Sequence, residues 1–278
     1  MVVSSETNMG RLLLSRVFVP FVALLFATFF FLRPAGIDGP MPQSVAQAGK
    51  GFDHQLWSDI IGKVRKANGR IDFAAVRDNQ SDLHTYLGSL RAACPRSTPH
   101  RFRDRDSRLA YYLNAYNAIA LSILSNHCPM KTPSDLYWAD GVYWRLGVMV
   151  GELRTTLTVL ESERLEPLVL RDPRVRFSLF RGTVDAPLLQ TKAFEPDTLD
   201  EQLNELTARA LKLNEFVMRV DNEVRLNAVF FWHKQEFGDF QTWFKTQGMD
   251  FEDDVKFVSD EYDDALVEHE NTCSSFVR

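Results

Sequence analysis

The chain has 278 residues, of which 45% are hydrophobic and 25% charged, and its formal net charge is −5 at pH 7. These fractions are typical of a globular protein, and the negative charge argues against a nucleic-acid partner. Apart from an N-terminal segment, roughly 225 residues remain, which is enough for one domain with a hydrophobic core of its own.

The N-terminus has the pattern of an export signal or a membrane anchor. Two arginines precede an uncharged apolar run of sixteen residues at 17–32, and Arg33 ends it. This length is at the upper end for a signal peptide and below the roughly 20 residues of a comfortable membrane span. Residues 34–51 are rich in Pro, Gly, Ser and Ala, as in a flexible linker. We predict that residues 1–33 are a signal peptide or, preferably, an uncleaved anchor. The domain would then lie on the periplasmic side of the inner membrane, or be periplasmic or secreted after cleavage.

The elements that follow alternate without a βαβ rhythm. Apolar spacing predicts helices at 52–68, 81–93 and 109–124, and capping-box patterns predict two more that begin at Thr158 and Thr198. Extended segments are predicted at 70–73, 143–150, 152–155, 174–180, 216–220 and 223–227, with hairpin turns at Gly151 and at Asp221-Asn222. This order indicates an α+β fold, in which a small, mainly antiparallel sheet is packed with helices in a single globular domain.

The helix at 109–124 is nearly all apolar and carries two amides. Asn114 and Asn117 are three residues apart and share one face, and Tyr112 and Tyr116 form a second pair at i, i+4. A helix this apolar is buried, and a buried amide without hydrogen bonds costs about 1–3 kcal/mol. The two amides therefore either brace another backbone segment, which is the favoured interpretation, or line a polar pocket.

Three cysteines are an awkward number for an exported chain. Cys94 and Cys128 end successive predicted helices, so a simple antiparallel arrangement separates them by about 25 Å, although the long loop at 95–107 leaves a disulfide open. Cys273 lies in a tail without structural signal. Because no pair has C-x-x-C spacing and no histidine stands at metal-site spacing from a cysteine, we predict no metal and no cofactor.

From about Trp57 to Leu266 the chain resembles the domain of unknown function family 547, which occurs in bacterial exported proteins and in plants and animals. The most specific match is Leu109-Ala-Tyr-Tyr-Leu-Asn-Ala-Tyr-Asn-Ala118, similar to the family's L-A-F-W-I-N-A-Y-N-A. Four further blocks match in the family's order and spacing; they begin at Gly69, Asp172, Phe230 and Tyr262. The resemblance implies a family domain at 52–268, followed by a tail at 269–278.

The departures from the family pattern bear on function. Where members continue N-C-A-S-x-x-C, this chain has Arg181 at the first cysteine and Ala186 at the second. Arg176 replaces the histidine of the preceding segment, and Ser162 replaces another histidine. A thiolate nucleophile needs both its sulfur and a base, so the resemblance implies that any such chemistry has been lost here. We therefore predict no catalytic residue, and the chain leans away from being an enzyme.

What remains is a candidate pocket of six residues: Asn114, Tyr116, Asn117, Glu161, Arg181 and Asp185. Arg181 could bind a carboxylate or phosphate, or pair with Asp185 or Glu161. For Glu161 a capping box that begins at Thr158 is the slightly favoured explanation. His233 is the histidine nearest to a family block and could share a face with Glu236, although a structural role is favoured.

Two functional hypotheses follow from this set. The first is a non-catalytic binding or scaffold domain of the cell envelope, with a peptide, glycan or protein ligand and a membrane attachment through its N-terminus. The alternative is a hydrolase or transferase related to papain-like or transglutaminase-like thiol enzymes, in which the active-site residues have been substituted.

Overall fold

The structure, a computed structural model, describes residues 51–127, 132, 141–169 and 172–263. It confirms a single α+β domain that is mainly helical, with two small sheets. The helices are α1 (Gln55–Val64), α2 (Phe73–Asp78), α3 (Gln80–Ala92), α4 (Arg105–Asn126), α5 (Gly141–Arg145), α6 (Leu157–Leu160), α7 (Glu166–Val169), α8 (Leu199–Ala210), α9 (Ala228–Trp232), α10 (Lys234–Phe237) and α11 (Phe240–Thr246).

Helix α4 is the centre of the fold. It has 22 residues, and every residue from Leu109 to Ser125 is buried. The Asp104 side chain caps its N-terminus by accepting a hydrogen bond from Ser107 N at 2.6 Å. The prediction of a central, buried helix is therefore confirmed, since an apolar surface all round can be satisfied only by neighbours on every side.

The chain from 157 to 169 is an interrupted helix, and it corrects the capping-box prediction at Thr158. Thr156, two residues earlier, is the N-cap, and its Oγ1 accepts a hydrogen bond from Val159 N at 3.2 Å. Helix α6 then passes into a π-helical turn, Glu161–Leu165, before α7 begins. Both threonines have the right chemistry for a cap, but the choice of Thr156 leaves Glu161 inside the helix, buried and without a capping role.

The segment predicted as a strand at 174–180 is instead a 3₁₀ helix, Pro173–Ser178, and that prediction was wrong. Asp172 accepts a hydrogen bond from Arg174 N at 3.1 Å, and Pro173 follows at the first helical position, where its missing N–H costs nothing. The alternation of apolar and polar residues that suggested a strand has another origin. Val175 packs in one hydrophobic core and Phe177 in a second, with Arg176 between them.

The two cores differ in composition. The first surrounds α4 and is built from α1 to α4, the β1–β2 hairpin and the interrupted helix, with many aliphatic residues. The second is smaller and largely phenylalanine; its rings include Phe177, Phe216, Phe230, Phe237, Phe240 and Phe244. The 3₁₀ segment runs along the boundary between these cores.

The sheets are mainly antiparallel, as predicted. Strand β1 (Val148–Val150) pairs with β2 (Leu153–Thr155) around Gly151, whose φ of +60° suits a residue without a Cβ. Strands β3 (Val217–Val220) and β4 (Glu223–Leu226) form the second predicted hairpin, and β5 (Lys256–Ser259) adds to β4 in parallel.

Other predicted boundaries need correction. The first predicted helix is shorter than 52–68, and of the extended segment at 70–73 only a single bridge, Arg65 to Ile71, is present. Residues 141–145 are helical, which shortens the first strand of the hairpin. The helix predicted from Thr198 is present as α8, but the Thr198 side chain makes no cap hydrogen bond to its backbone.

Several predictions lie outside the described residues: the N-terminal segment at 1–33, most of the linker, Cys128 and the tail. Cys94 is a buried free thiol. Among the helices that the structure describes, none is long and apolar enough to cross a membrane.

Candidate functional site

A cleft opens at the boundary between the two cores. We call it the Glu161 cleft; it encloses about 330 Å³ of empty space including its open mouth. Its lining residues are Glu161, Arg176, Leu179, Arg181, Asp185, Pro187, Val229, Trp232, His233 and Tyr262. The carboxylate of Glu161 reaches this position because the π-helical turn begins there. Such turns are insertions in a helix that occur often at functional sites.

Arg176 forms the floor of the cleft, and its side chain is only 1% exposed. Its Nη1 donates to Glu161 Oε1 at 2.7 Å, and its Nε donates to Glu236 Oε2 at 2.8 Å. Nη2 pairs with the other oxygen of Glu236 and lies 3.6 Å from Glu166 Oε1. Glu161 belongs to the first core's interrupted helix and Glu236 to α10 beside the second core, so one guanidinium joins the two halves of the domain.

The Glu236 carboxylate is held in its charged form. Burial acts to raise the pKa of Glu236, but hydrogen bonds from His233 and Arg176, with the charge of Arg176, outweigh it and lower this pKa to about 2. His233 Nδ1 lies 3.5 Å from Glu236 Oε1, so the suggested i, i+3 pair does share a face, and His233 lines the cleft.

Arg181 lies on the wall of the cleft with its side chain 29% exposed. Its Nη2 donates to Glu161 Oε2 at 3.1 Å, and its guanidinium lies over the Tyr143 ring at 5.4 Å from the centroid. The Tyr143 hydroxyl donates to the Arg181 carbonyl oxygen at 2.8 Å, which fixes the backbone at this point. Of the two partners suggested by the sequence, Glu161 is therefore the one that pairs with Arg181.

Asn114 and Asn117 do not line the cleft; both are fully buried and brace the backbone behind it. The Asn117 amide accepts from Phe180 N and donates to Ser178 O, each at 2.9 Å, and also donates to Gln190 Oε1. Asn114 makes the same two-way contact with the backbone of Phe194. The bracing interpretation is confirmed, and Asn117 anchors the chain immediately before Arg181.

Tyr116 lies one layer behind Arg181. Burial raises the pKa of Tyr116, and the positive charge of Arg181 opposes that rise. Tyr116 therefore contributes to the electrostatic surroundings of Arg181 without lining the cleft.

Asp185 stands at the mouth of the cleft. Its Oδ2 accepts a hydrogen bond from Asp263 N at 2.6 Å, and Asn227 Nδ2 donates to its carbonyl oxygen at 3.0 Å. Burial is the largest influence and raises the pKa of Asp185. The hydrogen bond from Asp263 N acts against this rise, and the negative charges of Asp263, Asp260 and Glu215 reinforce it. Asp185 is thus a carboxylate whose negative charge is poorly compensated by its surroundings.

An aromatic pair completes the mouth. The Trp232 ring lies 4.9 Å from the Tyr262 ring, and Trp232 is 55% exposed, the most of any large hydrophobic residue described. The Tyr262 hydroxyl is 2.9 Å from Thr183 Oγ1. The sequence analysis did not place Trp232, Tyr262, Arg176, His233 or Glu236 in the site. The signal was present, since two late blocks of the family resemblance begin at Phe230 and Tyr262.

The cleft combines paired charged groups with aromatic rings. The two arginines that replace the family's histidine and first cysteine, Arg176 and Arg181, meet here on the shared carboxylate of Glu161. Ser162, at the second histidine position, is exposed. His233 beside Glu236 could act as a base, but no cysteine, serine or threonine is among the described residues that line the cleft. No cluster of three potential metal ligands occurs within the described part of the chain.

Comparison with known proteins gives one finding. The family model described as "Protein of unknown function, DUF547" matches residues 100–209. The match includes Asn114, Asn117, Glu161, Arg181 and Asp185, whereas the aromatic mouth lies beyond it. No curated protein and no solved structure matches the chain. The resemblance predicted from the sequence is therefore confirmed as a match to the DUF547 family model over residues 100–209.

Proposed function

We propose that the Glu161 cleft is the ligand-binding site of a non-catalytic domain of the cell envelope. The observation that carries this proposal is the contrast between its floor and its mouth. On the floor, Arg176 and Arg181 are already paired with carboxylates, whereas the mouth presents an exposed aromatic pair and Asp185. A concave site with aromatic walls and a few fixed polar groups is typical of ligand binding.

The groups that line the cleft support the proposal that the domain is non-catalytic. Nucleophilic catalysis needs a thiol, hydroxyl or amine within hydrogen-bond reach of a base. His233 lies beside Glu236, whereas the Thr183 hydroxyl is within hydrogen-bond distance of the Tyr262 hydroxyl. Ser178 is buried, and its hydroxyl donates to Val175 O at 2.6 Å.

The proposed location rests on the sequence alone. The apolar run at 17–32 would anchor the domain on the periplasmic side of the inner membrane, with residues 34–51 as the linker. Fractionation of the native cells should recover the protein at full mass with membranes. A shortened soluble exported form would show a cleaved signal, and a cytoplasmic form would contradict export altogether.

The binding proposal can be tested with two exposed tryptophans. The full chain in detergent is screened by thermal shift against peptides and cell-wall glycan fragments. A true ligand of the cleft should raise the melting temperature of the wild type and lose this effect in Trp232→Ala. Trp144→Ala is the matched control, because Trp144 is 42% exposed and does not line the cleft.

A parallel assay addresses the enzymatic alternative. The wild-type protein is incubated with peptide and ester substrates, and no turnover is expected. Turnover that Arg181→Ala abolishes without unfolding the protein would contradict the non-catalytic proposal. It would favour a hydrolase or transferase with substituted residues.

A further inference from the structure

We propose that the group entering the Glu161 cleft is cationic: a protonated amine or guanidinium on a flexible stem, held by Asp185 and by the aromatic pair of Trp232 and Tyr262. This inference rests on the proposed binding function and names the ligand class. It also reverses the expectation, drawn from the sequence, that Arg181 would attract a carboxylate or phosphate.

The positive charges of the cleft are already neutralised. Arg176 contacts Glu161 and Glu236 directly and has Glu166 at 3.6 Å, while Arg181 shares the second oxygen of Glu161. Two guanidiniums therefore face three carboxylates before Asp185 is counted. Since these pairs are formed inside the protein, an anionic ligand would have to compete with Glu161 for Arg181 and would bring a further negative charge beside that carboxylate, which is unfavourable.

Asp185 is the charge that remains unpaired. Among the residues that the structure describes, no lysine, arginine or histidine forms an ion pair with it, and its hydrogen bonds are to backbone N–H of Asp263 and, through its carbonyl, to Asn227. Asp260, Asp263 and Glu215 add negative potential around it. Electrostatic complementarity at this mouth therefore favours a positively charged group and disfavours a negative one.

The aromatic pair supplies a second contact suited to a cation. The face of an aromatic ring carries partial negative charge and attracts ammonium and guanidinium groups, tryptophan most strongly. The 55% exposure of Trp232 and the 4.9 Å separation of its ring from Tyr262 leave such a surface open beside the cleft. Elsewhere on the domain, aromatic rings already carry cationic neighbours, as Tyr143 does with Arg181 and Phe240 with Lys234.

The size of the cleft limits what can enter. The figure of about 330 Å³ for its empty space includes the open mouth, so the enclosed part of the cleft is much smaller. We therefore expect only the charged end of one side chain or amino sugar to reach into the mouth, with the rest of the ligand outside it. Lysine and arginine side chains have the required form, since a narrow apolar stem carries a charged end.

The experiment compares matched small molecules on the full-length protein. The probes are the Nα-acetyl methylamides of lysine, arginine, norleucine and glutamic acid, with glucosamine as the amino-sugar arm, and binding is followed by NMR titration. We expect the lysine or arginine probe to bind at least about tenfold more tightly than norleucine, and the glutamic acid probe to bind weakest of all. If glucosamine exceeds both amino acids, the amine comes from a glycan rather than a peptide.

Two variants assign the effect to named groups. Asp185→Asn keeps an oxygen that can accept from Asp263 N and removes the charge, so it should lower affinity for the cationic probes about tenfold and leave norleucine unchanged. Trp232→Ala should weaken the cationic probes more than norleucine, which loses only an apolar contact. Glu201→Gln, an exposed carboxylate of α8 outside the cleft, is the control and should change neither.

A salt titration on the wild-type protein tests the same proposal without any variant, so it remains informative if a variant fails to fold. Charge-driven binding at an open site weakens as salt rises, so the lysine probe should lose affinity between low and high salt while norleucine does not. Tightest binding of the glutamic acid probe, or equal affinity for lysine and norleucine, overturns the cationic ligand while leaving a binding site in place. If neither these probes nor the peptide and glycan panel binds, the proposed function itself fails.

Discussion

The helical core around α4 and the Glu161 cleft both bury polar groups, but they do so with different chemistry. In the core the polar groups are neutral: Asn114 and Asn117 bond to backbone, and the His54 ring bonds to the Tyr86 hydroxyl at 2.7 Å. In the cleft the polar groups are charged, and they form ion pairs between side chains. A neutral amide that bonds to both the N–H and the C=O of a neighbouring segment satisfies those backbone groups. It then presents no free donor or acceptor to a ligand.

The ionic cleft is closed less completely. A guanidinium has five N–H donors and a carboxylate has two oxygens, so such groups can join several elements at once and still keep one side open. Arg176 joins Glu161 and Glu236 across the two cores, whereas Arg181 and Asp185 remain accessible at the wall and the mouth. The amides are therefore structural, whereas the charged groups at the wall and the mouth keep part of their surface exposed.

The largest expected effect is on Arg176. Arg176→Leu removes a fully buried guanidinium and leaves Glu161 and Glu236 facing each other, so we expect the free energy of unfolding to fall by about 3–5 kcal/mol. Chemical denaturation of the purified protein measures this. Lys63→Leu is the control; Lys63 pairs with Asp82 at 3.1 Å with both side chains about half exposed, and its loss should cost about 1 kcal/mol or less. Equal losses for both variants would show that Arg176 does not hold the cores together.

The next effect tests the neutral brace. Asn117→Ala leaves three buried groups without this partner: the N–H of Phe180, the carbonyl oxygen of Ser178 and the side-chain oxygen of Gln190. We expect the free energy of unfolding to fall by about 3 kcal/mol, the upper end for an unsatisfied buried group. Ser122→Ala on the same helix is the control, because the Ser122 hydroxyl has only a 3.4 Å contact with Asn126. A loss under 1 kcal/mol for Asn117→Ala would mean that water satisfies these groups and that the brace is not closed.

The neutral brace could be predicted from sequence, and the ionic cleft could not. The requirement that a buried amide find partners follows from the apolar helix alone, and bracing was the favoured interpretation. The cleft depends on contacts between distant residues, such as Arg176 with Glu236, sixty positions apart. Local patterns also misled here: the period-2 alternation at 174–180 reflects a 3₁₀ segment between two cores, and either Thr156 or Thr158 could have capped the helix that carries Glu161.

The two regions should respond to acid in different pH windows. Burial lowers the pKa of His54 from an unfolded value near 6.5 to about 3. Between these two pH values the histidine is protonated in the unfolded state and neutral in the folded state. The contribution of His54 to the free energy of unfolding is then constant above pH 6.5 and falls below it by about 1.4 kcal/mol per pH unit. The pKa of Glu236 is lowered from 4.5 to about 2, so its contribution is present above pH 4.5 and is lost as the pH falls through 2.

Denaturation at a series of pH values separates these contributions. His54→Gln should flatten the profile between pH 6.5 and 5, and Glu236→Gln should change the slope of the profile only below about pH 4.5. The first variant changes a residue of the helical core and the second a residue of the cleft. If His54→Gln left the slope between pH 6.5 and 5 intact, the buried histidine would not be the source of acid sensitivity in the core.

The smallest effect is expected at Arg181, and it decides whether binding and stability are separable in the cleft. Arg181 has one ion pair, to a Glu161 oxygen, and its side chain is 29% exposed. When Arg181→Leu removes it, Arg176 still compensates Glu161 through the other oxygen, so no carboxylate is left buried alone. We therefore expect a loss of about 1 kcal/mol or less by chemical denaturation, the range for a partly exposed pair. A loss close to that of Arg176→Leu would contradict the distinction between an inner structural guanidinium and an outer one, because the cleft wall would then be as indispensable to the fold as its floor. A small loss would make Arg181 a safe position at which to alter the charge of the cleft and follow ligand binding without disturbing the fold.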